Sequence, residues 1–216
     1  KYKKEFPFLK EVDSLALSNA QLNLDKAYKN FFRDKSVGFP RFKSKKNPVQ
    51  SYTTNNQNGT VALIDNKFIK VPKLKSLIRI KLHRQPKGMI KSATISRHSS
   101  GKYYISLLCK EEISELPKTN SAIGIDLGIT DFAILSDGQK IDNHKFTSKM
   151  EKKLKREQRK LSKRALLAKN KGIPLSEAKN YQKQKRKVAR LHEKVMNQRT
   201  DFLNKLSTEM IKNHDI

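Results

Sequence analysis

Ser121-Ala122-Ile123-Gly124-Ile125-Asp126-Leu127-Gly128-Ile129-Thr130-Asp131-Phe132-Ala133-Ile134-Leu135-Ser136-Asp137-Gly138 is the stretch on which the reading of this chain turns. Ala122, Ile123 and Ile125 form a short apolar run of the kind that makes a buried strand, and it ends in Asp126 and then Gly128. A second apolar run, Phe132 to Leu135, follows at once and turns at Asp137-Gly138, a hairpin signal. An ionised carboxylate on a buried strand is unfavourable unless it is paired or holds a cation. Gly124 and Gly128 would let a phosphate backbone or a metal come close. Asp126 is therefore the candidate catalytic and metal-binding residue.

This strand–Asp–Gly arrangement resembles the opening of RNase H-like nucleases, and equally that of actin- and sugar-kinase-type ATPases. Charge separates the two. The chain carries 48 Lys and Arg against 20 Asp and Glu, a formal net charge of +28. A field that large holds a protein on polyanions, and a small-molecule kinase has no use for it. A membrane surface would require a basic helix with a bulky apolar face, and the basic helices here are too polar for that.

The 216 residues suffice for one large or two small domains. No apolar run approaches transmembrane length and no signal-peptide pattern is present, so a cytoplasmic, nucleoid-associated protein is expected. Cys109 is the single cysteine, which leaves no disulfide and no multi-Cys zinc site in this chain. Lys1 at one end and His214-Asp215-Ile216 at the other read as cuts, so the expectation is an internal piece of a longer protein.

Residues 13–32 predict one amphipathic helix, capped by Asp13 or Ser14, with Leu17, Ala20, Leu24, Ala27 and Phe31 forming a core or helix–helix stripe. Residues 33–58 read as loop. There Arg41, Lys43, Lys45 and Lys46 are interleaved with Phe39, Phe42 and Tyr52, as suits phosphate contact plus stacking. The alternative is that the aromatics only pin the loop to a core. Residues 60–112 alternate like antiparallel strands, at Val61–Ile64, Phe68–Val71, Leu77–Leu82, Met89–Ser96 and Tyr103–Lys110. Turn residues separate them, and a small barrel or strongly curved sheet is expected.

After a third short strand near Lys140–Asp142 the pattern changes. Residues 149–200 hold 19 Lys and Arg and only 4 Asp and Glu. Gly172-Ile173-Pro174 breaks an otherwise helical stretch, so a hairpin of two helices is predicted. Met150, Leu154, Leu161 and Ala165 would seam one arm to Tyr181, Val188, Leu191, Val195 and Phe202 of the other. Lys155, Arg156, Arg159, Lys183, Lys185 and Arg186 lie off those stripes and are the candidate phosphate contacts. A face so lopsided in sign repels itself without a counter-anion, and duplex or heteroduplex backbone is the expected one.

Several blocks, in this order, resemble the TnpB (OrfB) proteins of bacterial insertion sequences. They are Phe8-Leu9-Lys10-Glu11-Val12-Asp13-Ser14, Phe39-Pro40-Arg41-Phe42-Lys43, Gly101-Lys102-Tyr103-Tyr104, Gly124-Ile125-Asp126-Leu127-Gly128 and Val188-Ala189-Arg190-Leu191-His192-Glu193-Lys194. The resemblance runs over essentially the whole chain and implies an RNA-guided DNA endonuclease related to type V CRISPR effectors. It implies an α+β chain with the end of a helical recognition lobe at 1–32 and an antiparallel wedge-type β-barrel with its basic loop at 33–118. The N-terminal part of an RNase H-like (RuvC) nuclease domain would occupy 119–216, with the helical hairpin at 148–212. Guide RNA and target DNA are the implied partners and Mg2+ the implied cofactor. The family's two-metal site uses Asp, Glu and Asp. Asp126 matches the first; the Glu lies on a strand expected to begin near His214–Ile216, and the last Asp has no match.

Two-metal cleavage needs carboxylates that clamp ions about 3.5–4 Å apart, which one Asp cannot do. The expected function is thus a fragment of such an endonuclease that binds nucleic acid with an incomplete catalytic site. A non-cleaving RNA-guided DNA-binding protein and a basic nucleic-acid-binding scaffold are the competing readings.

Overall fold

The computed structural model describes residues 2–44 and 47–215. They form two compact units, Lys1–Ile113 and Ser114–Ile216.

The first unit opens with a short helix α1 (Tyr2–Glu5) and a 3-10 turn at Pro7–Lys10. Helix α2 (Ser14–Arg33) follows. Asp13 caps it as predicted, its carboxylate accepting from Ala16 N at 3.1 Å. The same oxygen accepts from the hydroxyl of Thr54, which is fully buried, so the cap also fastens the helix to the sheet. Asn19 adds a second tie by donating to Thr53 O at 3.1 Å. Beyond these ties the predicted stripe is not a core. Only Ala16 is buried on α2; Ala20 is exposed and Leu24 is 42% exposed, and the last turns gain only partial cover, from Phe39 of the following loop against Phe31.

Six strands follow: β1 (Val49–Asn55), β2 (Ala62–Ile64), β3 (Phe68–Lys70), β4 (Ile78–Arg79), β5 (Met89–His98) and β6 (Tyr103–Lys110). They make two antiparallel three-stranded sheets, β1-β5-β6 and β2-β3-β4. Val61, Ile69, Val71 and Ala93 form the shared core, with Ile95, Ile105 and Leu107 packed against it. Neither sheet closes on itself, so the barrel expected from the strand spacing is instead a pair of open sheets around one small core. Strand β1 sits where a loop was expected. Val49, Thr53 and Thr54 are β-branched, and seven register pairs from Val49↔His98 to Asn55↔Ser92 hold the segment on β5. The β5–β6 ladder slips between Ile90 and Ser92, the sign of a bulge. Gly88, at φ +71, permits the approach that starts the pair, since a Cβ there would fall 1.9 Å from Lys110 O.

The second unit contains the sheet β7-β8-β9, made of β7 (Ile125–Leu127), β8 (Asp131–Leu135) and β9 (Lys140–Asp142). Its β8–β9 turn is the predicted Asp137-Gly138, with Gly138 at φ +89 and its N–H donating to Leu135 O. Helices α3 (Phe146–Asn170) and α4 (Lys179–Asn213) form the predicted antiparallel hairpin. Gly172, at φ +64, stops α3, and Ile173 N returns to Ala168 O at 2.9 Å. On α4, Phe202 packs edge-on against Phe132 of β8 and seats the helix on the sheet.

Candidate nucleic-acid and metal-binding residues

Asp126 lies at the middle of β7, opposite Ile134 of β8. All three residues of β7 are exposed, Ile125 to 48% and Leu127 to 71%. The buried setting expected for this carboxylate is therefore absent. β7 is the outer strand of its sheet, and its far edge carries no neighbouring strand among the described residues. The glycines also read differently. A Cβ on Gly128 would stand 2.9 Å from Asp131 O, so this glycine is required by the β7–β8 turn itself.

The nearby acids have local tasks. Asp137 accepts from Gln139 N inside its turn, and Asp142 pairs with His144 at 3.0 Å. Among the described residues no three His, Cys, Asp or Glu side chains gather as a metal cluster. One exposed carboxylate does not make a two-ion site, so the residues present do not by themselves fit the implied Mg2+ centre. A groove of about 700 Å3, bordered by Leu135, His144, Phe202 and His214, opens between the sheet and α4 without including Asp126.

The end of the described chain folds back beside the start of β7. Asp215 N donates to Ser121 O at 2.8 Å. The Asp215 carboxylate accepts from Thr119 N at 3.0 Å and Asn120 N at 2.7 Å. These backbone donors, Thr119 foremost, hold its carboxyl below the ordinary range against the opposing effect of burial. His214 Nδ1 lies 2.8 Å from Ser121 Oγ.

In the first unit, Arg41 and Lys43 are exposed on the loop before β1. Lys43 Nζ reaches Ser51 Oγ at 3.4 Å, and Gln50 ties the loop down through Ser44 O and Asn47 O. Lys45 and Lys46 lie outside the described residues. Tyr52 is 43% exposed on β1, and partial burial, with the nearby Asp13 charge second, pushes its hydroxyl above the usual tyrosine value. The two aromatics of the loop divide the two readings between them. Phe39 meets the rings of Tyr28 and Phe31 at 5.6 and 5.5 Å and pins the loop to α2, whereas Phe42 is 93% exposed.

On the hairpin, Lys155, Arg156, Arg159, Lys183, Lys185 and Arg186 are all exposed, as their positions off the stripes require. Lys155 is paired with Glu151 at 2.6 Å. The sequence reading missed the polar part of the seam. Glu157 and Gln184 are buried, 1% and 3% exposed, at places where heptad spacing continues the apolar stripes through Leu154, Glu157, Leu161 and Tyr181, Gln184, Val188. Gln184 Nε2 donates to Glu157 Oε2 at 2.8 Å, and Arg164 donates to Gln184 Oε1 at 3.2 Å. Lys187, Lys160 and Arg156 approach the same carboxylate at 3.3, 3.5 and 3.6 Å. The Gln184 hydrogen bond, with Lys187 and Lys160 adding their charge, holds Glu157 down at about 2 although burial opposes it.

A cationic two-helix hairpin beside a small antiparallel sheet with an exposed acid defines a class that comparison makes specific. Residues 106–216 match the family model of the IS605-type OrfB protein, described as "Probable transposase". The chain belongs to this OrfB family. It is 37% identical over 212 residues to an Escherichia coli (strain K12) protein named "Putative RNA-guided DNA endonuclease InsQ", covering 97% of this chain and 48% of that protein. It is 35% identical over 210 residues to a Streptomyces pristinaespiralis protein named "Putative RNA-guided DNA endonuclease", covering 96% and 49%. The chain spans about half the length of these curated relatives. No helix among the described residues is long and apolar enough to cross a membrane.

Proposed function

We propose that this chain is a nucleic-acid-binding part of an RNA-guided DNA endonuclease, acting in the cytoplasm on guide RNA and target DNA. In this reading Asp126 is one of the carboxylates of a RuvC-like site. The names of the two relatives favour the class. The observation that supports the role of Asp126 is the hydrogen bond from Asp215 N to Ser121 O, which brings the residues after α4 beside the segment that leads into β7. A chain that continues there in the sense the family resemblance implies would run beside Gly124 and Asp126, where a second carboxylate could join the first. Mg2+ is the cofactor proposed for the complete site, which Asp126 by itself does not make. Asp126 contributes one ligand to that centre and, alone, no cleavage.

The test is a pair of measurements. The 216-residue chain with Mg2+ should bind duplex and leave it intact; Mg2+-dependent cutting lost in Asp126→Ala would overturn the incomplete-site reading. In a full-length family protein carrying this segment, Asp126→Asn should abolish cleavage while target binding persists. Retained cleavage there would remove Asp126 from the catalytic set.

A further inference from the structure

The basic residues of the hairpin are not spread evenly around it. Heptad positions place Lys153, Arg156 and Lys160 of α3 on the same flank of the seam as Lys183, Lys187 and Lys194 of α4, and all six are exposed. The contacts fix this assignment, because Lys160 from one arm and Lys187 from the other both reach Glu157. Along the seam the opposite flank of α3 carries Glu151, Gln158 and Ala165 instead, and the lysine nearest them, Lys155, is paired with Glu151.

We infer that the Lys153–Lys194 flank, organised around buried Glu157, is the docking surface for the phosphodiester backbone of a double helix. This rests on the proposed nucleic-acid function and names the face and the form of ligand. Charge complementarity supplies the attraction. Around Glu157 three cations surround one carboxylate and leave an excess positive charge at the rim. Glu157 cannot swing out to compete with phosphate, since Gln184 holds it inside the seam. It is a positioning residue: it gathers three side chains that would otherwise repel each other at this spacing. The further lysines stand about one to two helical turns away along each arm, so the cations form a row along a rigid rod. The named flank residues include no aromatic side chain. Unpaired strands are gripped chiefly by stacking on such rings, whereas a duplex, with its bases turned inward, needs only the row of charge.

The experiment compares two charge-matched variants of the 216-residue chain. Lys160→Gln with Lys187→Gln removes one cation per arm from the proposed flank; Lys169→Gln with Arg199→Gln, both exposed, removes one per arm from the other. With a 20-bp DNA duplex, the first pair should weaken binding about tenfold or more and reduce the slope of log K against log salt by about 1.8. The second should cost less than about threefold. Because the first pair uncovers Glu157, a triple variant adding Glu157→Gln is measured beside it, with helicity checked by circular dichroism, and should show the same loss. Equal losses from the two flanks overturn the inference while leaving the proposed function intact. Absence of duplex binding by the parent chain overturns the proposed function itself. An unstructured single strand of equal length binding as tightly as the duplex, at the same salt, overturns the choice of a double helix.

Discussion

Gln184 Nε2 donates to Glu157 Oε2 at 2.8 Å inside the seam of the α3–α4 hairpin, and the same nitrogen reaches Glu157 O at 3.0 Å. The two arms thus meet at a polar layer set between apolar ones. Only one register satisfies it. Sliding either arm by one heptad would bury Glu157 against an apolar side chain and leave Gln184 without its acceptor.

Removing one partner should therefore hurt more than removing both. Gln184→Leu leaves a buried carboxylate without its best donor, and the melting temperature of the hairpin should fall clearly. Glu157→Leu with Gln184→Leu restores an apolar layer and should recover most of that loss. Thermal unfolding followed at 222 nm decides between these. A double variant less stable than Gln184→Leu would mean that the surrounding cations depend on Glu157 more than the seam benefits from it.

Acid should loosen the hairpin in a defined window. The folded value of Glu157, about 2, lies below its ordinary value of 4.5, so ionised Glu157 stabilises the folded arm pair above about pH 4.5. That contribution is lost as pH falls from there toward about 2. A pH series of melting temperatures should show this decline, and Glu157→Gln should flatten it. An unchanged profile in the variant would assign the acid sensitivity to other carboxylates.

The parts legible in sequence were those set by periodicity and turn chemistry. Gly172-Ile173-Pro174 and the two apolar stripes define the hairpin, and Asp137-Gly138 defines the β8–β9 turn. Strand β1 was hidden because Gln50-Ser51-Tyr52-Thr53-Thr54-Asn55 is largely polar on both faces and gains its order from pairing with β5, a non-local cause. Glu157 and Gln184 were hidden because a stripe search counts apolar residues only; the clue was the unbroken 3-4 spacing through them. Asp126 was legible as a residue but not in its setting, since Ile125 and Leu127 on either side of it stay exposed among the described residues.

Asp13 should be the most sensitive single position on α2. Its carboxylate caps the helix through Ala16 N and also satisfies the buried hydroxyl of Thr54. Asp13→Ala loses the cap, worth about 1 kcal/mol, and strands a buried hydroxyl at a cost of about 1–3 kcal/mol. Asp13→Asn keeps an acceptor in place and should lose much less. Amide exchange over Ser14–Asn19, the turns nearest the sheet, should quicken in Asp13→Ala. Unaltered exchange there would show that Asn19 alone holds the helix to β1.

Asp126→Asn should leave the stability of this chain nearly unchanged, with a melting temperature within about 2 °C of the parent. The reason is its position. The carboxylate stands on an exposed outer strand, and the pairing of Asp126 with Ile134 of β8 is made by the backbone, which the substitution keeps. A residue retained for folding would be expected to make contacts that the substitution breaks; this one stands exposed on β7. Differential scanning calorimetry of parent and variant is the measurement. A fall of several degrees would make Asp126 a structural residue and remove the argument that its exposure leaves it available for chemistry. A null result, joined to lost cleavage in a full-length family protein bearing the same substitution, would separate its part in catalysis from any part in the fold.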